Sequence, residues 1–230
     1  MEKVYLDSAA TTQMRPEVIT KITEVMQDNY GNPSSTHSFG RSAKSLIEKA
    51  RKTIAKQLNV TAAEIIFTSG GTEADNLALN SAVRDLGVKR IITSEIEHHA
   101  VLYSVNQLKA CFDIEVEYVN LTAEGEVDLK DLENRLKSSD VKTLVSLMHV
   151  NNEVGNKLDL KMVALLCKEY KALFHSDTVQ SIGHYEIDLQ EIPVDFTAVS
   201  AHKFHGPKGV GFAFVRKNSG LKPLIFGGEQ

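Results

Sequence analysis

Ile66-Phe67-Thr68-Ser69-Gly70-Gly71-Thr72-Glu73 joins the end of an apolar run to the start of a helical one. Two adjacent glycines let the backbone approach a ligand closely. The helix that follows offers free N–H groups and the positive end of its dipole, which suits a phosphate. The stretch is not a Walker loop, because no Lys-Ser or Lys-Thr follows at the required spacing, and it is not a dinucleotide fingerprint. Alone it reads equally as an anion site or a plain helix entry. The fold class follows from the recurrence of the same strand–turn–helix step along the chain.

Working outward, short apolar runs at 65–67, 91–93, 116–119, 144–150, 173–175, 196–199 and 210–215 read as strands. Helical patterns at 73–84, 100–109, 129–136 and 160–170 fall between several of them. Upstream, Ala43, Leu46, Ile47, Ala50, Ile54 and Leu58 recur at helical spacing and form one apolar stripe. This alternation predicts an α/β fold with a largely parallel sheet. The segment Gly31-Asn32-Pro33-Ser34-Ser35-Thr36-His37-Ser38-Phe39-Gly40 breaks the rhythm and reads as an ordered loop, either a connector or part of an active site.

The 230 residues suggest one large domain or a domain and a half. A hydrophobic share of 42% and a charged share of 24% fit an ordinary globular chain. With a net charge of −4 and no basic arm, nothing draws in nucleic acid. No secretory signal opens the sequence, and no apolar run approaches the roughly 20 residues that span a bilayer, so no membrane role is expected. Cys111 and Cys167 lie far apart, which argues against a disulfide framework or zinc knuckle and fits a cytoplasmic location.

In open α/β sheets, ligands sit beyond the carboxyl ends of the strands. Five such ends carry polar groups: Ser69-Gly70-Gly71-Thr72, Glu97-His98-His99, Asn151-Asn152-Glu153, Asp177 with Gln180, and Ser200-Ala201-His202-Lys203. Lys203 is a surface lysine or, in a partly desolvated site, an amine nucleophile. Ser200 and His202 could contact a phosphate; a metal site at His202 and His205 lacks a carboxylate or cysteine at ligand spacing. Asp177 reads as a helix cap or as the partner of a protonated pyridine nitrogen. His98 could stack on a flat ring and move protons, and adjacent helical residues do not share a face, so only one of His98 and His99 should point inward. Asn152 offers both donor and acceptor, though Asn is also a common turn residue.

Together these motifs carry a resemblance. Tyr5-Leu6-Asp7-Ser8-Ala9-Ala10-Thr11-Thr12, Gly31-Asn32-Pro33-Ser34-Ser35, Phe67-Thr68-Ser69-Gly70-Gly71-Thr72-Glu73, Met148-His149-Val150-Asn151-Asn152-Glu153-Val154-Gly155, and Ser200-Ala201-His202-Lys203 with Gly206-Pro207-Lys208-Gly209 resemble the cysteine desulfurases of the class V aminotransferase family, of the iron–sulfur-cluster and nitrogen-fixation type. The resemblance implies the large domain of a pyridoxal phosphate (PLP) transferase of the aspartate aminotransferase type, with a mostly parallel seven-stranded sheet flanked by helices. It implies residues 16–230 as the PLP-binding domain, residues 1–15 as a segment associated with a small domain, and no C-terminal small domain in this chain.

The resemblance also implies the site. Lys203 bonds covalently to PLP and Asp177 pairs with its ring nitrogen. Gln180 and Asn152 lie near the phenolic oxygen, with Asn152 also near the substrate. His98 stacks on the ring and serves in acid–base steps, and Gly71, Thr72, Ser200 and His202 hold the phosphate. The implied reaction converts L-cysteine to L-alanine and leaves sulfur on an enzyme cysteine, in a cytoplasmic homodimer that serves a sulfur-acceptor or scaffold protein. In the family that cysteine, a substrate-binding arginine and a partner-supplied threonine lie beyond position 230, and neither Cys111 nor Cys167 matches. The abrupt end at Ile225-Phe226-Gly227-Gly228-Glu229-Gln230 reads as that of a fragment, with exposed apolar surface and association expected. Alternatives are a selenocysteine lyase or small-amino-acid aminotransferase, against which Lys208 counts, an inactive PLP-binding remnant, or a nucleotide-binding domain.

Overall fold

Each of the seven apolar runs forms a strand in the computed structural model, which describes residues 3–225 and 227. Residues 226 and 228–230, where part of the expected interrupted glycine-rich motif falls, lie outside the described residues, as do residues 1 and 2. The strands are β1 (Ile65–Thr68), β2 (Arg90–Thr93), β3 (Glu115–Tyr118), β4 (Thr143–Ser146), β5 (Leu173–Asp177), β6 (Phe196–Ser200) and β7 (Gly211–Val215). They form one sheet in the order β1-β7-β6-β5-β4-β2-β3. β7 is antiparallel to both β1 and β6, and the remaining pairs are parallel.

The helices are α1 (Pro16–Asp28), α2 (Ser38–Gln57), α3 (Gly71–Arg84), α4 (His99–Cys111), α5 (Leu129–Lys137) and α6 (Leu160–Glu169). Side chains fix several starts: Asp128 accepts from the backbone N–H of Lys130 and Asp131, and Asp159 from that of Met162. Adjacent strand residues point to opposite faces. Ile91, Leu144, Ala198 and Ala213 therefore join a core under α3 and α4, while Ile92, Val145, Val199 and Phe214 join a second core with residues of α5 and α6. The strands read as continuous apolar runs because both faces are covered. No helix of the described residues is long and apolar enough to cross a membrane.

The expected loop at 31–40 ends early, because α2 already starts at Ser38, and the structure departs from the sequence expectations in two further places. α1 went unread, although Pro16 stands at its first turn and Ile19, Ile22 and Met26 recur at helical spacing. It buries none of its residues, and Leu6, Met26 and Tyr30 nearby are exposed. The expected strand at 144–150 leaves the ladder after Ser146. The chain stays extended, with the N–H of His149 donating to the Asp177 carbonyl at 2.9 Å, but Val150 then pairs with Lys157 instead of continuing beside β5.

β7 meets the carboxyl end of the sheet with its first residue, and glycine is needed there. A Cβ on Gly211 would collide with the Val199 carbonyl and stand 2.8 Å from the Gly70 Cα. Gly211→Ala is expected to destabilise the fold by about 1–3 kcal/mol, as overpacking of a close backbone approach does. A urea midpoint unchanged from that of the unmodified protein would contradict this close contact.

Candidate functional site

The parallel strands β1, β2, β4, β5 and β6 end on the same side of the sheet, and their following turns surround a cavity of about 490 Å³. All nine residues singled out in the sequence line it: Gly71, Thr72, His98, Asn152, Asp177, Gln180, Ser200, His202 and Lys203. Its size and mix of polar groups suit a small ligand.

The phosphate-like corner lies at the start of α3. Gly70 adopts a φ of +155°, and no side chain caps the helix, so its first N–H groups face the cavity. A Cβ on Gly71 would stand 2.5 Å from Val179 Cγ2, so only glycine fits beside that turn. Ser200, buried at the end of β6, sits against the two glycines, and His202 follows on a short 3-10 turn, Ala201–Lys203. Glycine turn, helix start, hydroxyl and imidazole stand together in this corner, a combination that suits an anion.

Across the cavity, Lys203 donates to the carbonyls of Ala9 and Ala10. Burial holds its amine below the usual lysine range, against the opposing pull of the Asp177 and Asp7 carboxylates. Burial also lowers His202, helped by the charges of Lys203 and Lys208. Asp177 caps no helix; its Oδ1 accepts from the Val179 N–H at 2.9 Å in a tight turn. Burial pushes its carboxyl up to about 7, and any charge on the nearby Asp75 carboxyl adds to the rise. A buried acid in this state is stabilised by a cation placed against it, as a protonated ring nitrogen would be.

His98 is the N-cap of α4, with Nδ1 accepting from the Ala100 N–H at 3.1 Å. In the neutral ring the proton therefore sits on Nε2. His99 stacks on Tyr103 instead, with ring centroids 4.9 Å apart, and does not line the cavity. Asn152 and Gln180 bring amides to the rim; Gln180 Nε2 donates to the Ala9 carbonyl at 2.8 Å. The groups present thus fit PLP: a phosphate cradle, an amine of lowered basicity, and a buried acid awaiting a cation.

Sequence reasoning missed several contributors. Ala9 and Ala10 line the cavity through the backbone, and Asp75 lines it from α3. Asn151 braces the site: its Nδ2 donates to the Ile96 carbonyl, and its Oδ1 accepts from Glu153 and Val154. Cys111 is exposed on α4 and Cys167 buried on α6, its thiol pushed up by burial; neither lines the cavity. Among the described residues, no cluster of three or more His, Cys, Asp or Glu is arranged to hold a metal.

Residues 4–230 match the family described as aminotransferase class-V. A cysteine desulfurase IscS of Dictyoglomus turgidum is 44% identical over 230 residues, covering 99% of this chain and 58% of its own length. A solved NifS-like protein superposes with a TM-score of 0.93 at 40% identity, covering 99% of this chain and 63% of that one. An SspA solved in complex with cysteine superposes with a TM-score of 0.91 at 33% identity, over 98% of this chain and 65% of that one. The chain thus spans about 58% of the length of that IscS relative.

The raised Asp177 carboxyl carries a signed consequence for stability. An acid whose pKa is higher in the folded state binds its proton more tightly there, so its contribution is full at low pH and fades as pH rises through the folded value. Asp177→Asn, which cannot ionise, is expected to gain stability relative to the unmodified protein between pH about 4 and about 7 in the absence of PLP. The gap should then level off. His175 and His149, both lowered to about 4 by burial, titrate in both proteins and largely cancel from the difference. Urea unfolding at several pH values measures the gap, and a gap independent of pH would contradict the assignment.

Proposed function

The chain belongs to the aminotransferase class-V family, and from that premise we propose that it forms the PLP-binding part of a cysteine desulfurase. Residues 16–230 are the cofactor-binding domain in this reading, and residues 1–15 an N-terminal segment of the kind associated with a small domain in relatives. The observation that carries the reading is the convergence of five strand ends on one cavity with the Lys203 amine on one side and the buried Asp177 carboxyl among its lining groups. The IscS relatives and the cysteine complex of SspA favour L-cysteine as substrate.

When bound, PLP supplies an electron sink for negative charge developing at the substrate α-carbon. The residues do the rest. Gly71 and Thr72 present backbone N–H groups to the phosphate, joined by Ser200 and His202. Asp177 holds the ring nitrogen in its protonated form by charge. Asn152 and Gln180 direct amides at the phenolic oxygen, and Asn152 also reaches the substrate. Lys203 would be the point of covalent attachment, since burial weakens its amine's hold on a proton and so favours its nucleophilic form. The same amine could also take the proton from the substrate α-carbon. His98 packs along the ring and passes protons through Nε2, because Nδ1 is committed to Ala100.

In the overall reaction the carbon–sulfur bond of L-cysteine breaks. The sulfur bonds to the thiolate of an enzyme cysteine as a persulfide, and the carbon skeleton leaves as L-alanine. Neither Cys111 nor Cys167 lines the cavity, so the reading assigns the sulfur-accepting cysteine to another part of the protein. A homodimer, a cytoplasmic location, and a scaffold or carrier protein that collects the sulfur for iron–sulfur clusters complete the proposal.

The test is a visible spectrum of the purified protein after addition of PLP and removal of the excess. A retained absorbance band that is lost in Lys203→Ala, and that changes on adding L-cysteine but not L-serine, is expected. A protein that retains no band, or a band that survives unchanged in Lys203→Ala, would overturn the assignment.

A further inference from the structure

Behind the cavity lies a chain of buried polar side chains that the proposed reaction does not use. Ser146 Oγ on β4 lies 2.9 Å from His175 Nδ1 on β5. On the other side of the ring, His175 Nε2 lies 3.3 Å from Asp75 Oδ1 on α3, and the two side chains are 0% and 1% exposed. Neither Nε2 nor Oδ1 forms an aligned hydrogen bond with any group among the described residues, each other included, so the contact is one of proximity. Asp75 also lines the cavity, as Asp177 does.

Two buried polar atoms this close, both unsatisfied, are stabilised when a small turn of either side chain lets a proton bridge them. Three arrangements are available. An ionised Asp75 beside a neutral ring puts a second negative charge near Asp177 in a desolvated site, which like-charge repulsion opposes. An ionised Asp75 beside a doubly protonated ring buries two charges instead of none. A protonated Asp75 beside a neutral ring leaves no charge on the pair. Burial acts on both groups in that last direction, raising Asp75 well above its ordinary value and lowering His175 to about 4.

We propose that Asp75 is a positioning residue that holds a proton: it donates to His175 Nε2, His175 Nδ1–H donates to Ser146 Oγ, and Asp177 is left to carry the negative charge offered to the cofactor. Any ionisation of Asp75 would raise the proton affinity of Asp177 and divide the charge meant for one ring nitrogen between two acids. The role given to Asp177 rests on the PLP reading, whereas the protonation pattern of the chain does not.

Other titratable groups surround Asp75. Asp177 lies on β5, Glu97 and His98 stand at the entry to α4, and Asp7, His202 and Lys203 line the same cavity. β1, β6 and β7, which pack against α3, contain no titratable residue. Glu97 is itself raised well above its ordinary value, chiefly by burial.

The first measurement is nitrogen-15 NMR of the histidine rings in the unmodified protein at neutral pH, with His175 assigned by its loss in His175→Gln. A neutral ring protonated on Nδ1 is expected. A ring protonated on Nε2, or on both nitrogens, would overturn the proposal. The second measurement uses Asp75→Asn, whose amide can donate to Nε2 as the acid does and carries no charge. It should keep the Nδ1–H tautomer, whereas Asp75→Leu, which removes the donor, should lose it. In the PLP-loaded protein, Asp75→Asn should leave the pH midpoint of the visible band where it was. A fall of about one unit, tenfold in proton affinity, would mean that the native Asp75 was charged. If PLP gives no retained band, the functional reading fails while the tautomer still decides the proton chain. If a variant does not fold, the ring of the unmodified protein decides it.

Discussion

The site depends on one topological constraint: the strands that carry it run in the same direction. Parallel strands end on one side of the sheet, so turns far apart in sequence become neighbours without any long excursion of chain. Gly71, Thr72, His98, Asn152, Asp177 and Lys203 reach one cavity for this reason. β7 is the exception that sharpens the rule. It runs the other way and brings its first residue, Gly211, against Gly70, so the antiparallel strand backs the glycine turn instead of contributing a turn of its own.

Burial then sets the chemistry that the turns can perform. Three carboxyl groups, Asp75, Glu97 and Asp177, sit in desolvated positions near the same cavity, and all are pushed above the ordinary carboxylate range. Glu97 is tied down by Ser94 Oγ at 3.0 Å and by the Met148 N–H at 2.8 Å, which joins the turn carrying His98 to the end of β4. Asp177 has a single backbone donor on Oδ1 and opens toward the cavity. The difference in partners separates a bracing acid from one left able to hold a cation. Lys203 lines the same cavity, its charge disfavoured by the same desolvation that raises the acids.

Most of this was legible because the chemistry rests on side chains at strand ends, and strand ends can be found from apolar runs. The seven strands and their mostly parallel arrangement followed from alternation, and the polar residues after each run named the cavity. What escaped has two physical causes. α1 buries nothing among the described residues, so no tertiary contact singles it out; its start at Pro16 and its apolar spacing were the signals available. Asp75 escaped because it lies one turn inside α3, where a carboxylate at helical spacing reads as a solvated face. Only the packing of α3 against β5 and β6 reveals that it is buried. Asn151 escaped because its neighbour Asn152 reaches the cavity, while its own role is to stitch two turns together.

The N-terminal segment explains why the lysine loop holds its shape. Thr12 binds the His202 carbonyl through both its N–H and its hydroxyl, each at 2.9 Å, and Thr11 Oγ1 lies 3.1 Å from His202 Nδ1. The Thr12 hydroxyl also accepts from the His205 N–H at 2.7 Å, and Gln13 meets the His205 ring through its carbonyl. His205 sits at a φ of +70°, a conformation that costs a non-glycine residue energy unless its surroundings impose it. These bonds impose it, and they come from a segment about 190 positions away in sequence. Ala9 and Ala10 add carbonyls at the Lys203 amine, where small side chains let the backbone come close. Residues 9–13 therefore act on the site through main-chain groups and two threonine hydroxyls, a form of control that a search for catalytic side chains overlooks. The lysine needs the first dozen residues as much as it needs the strand that precedes it.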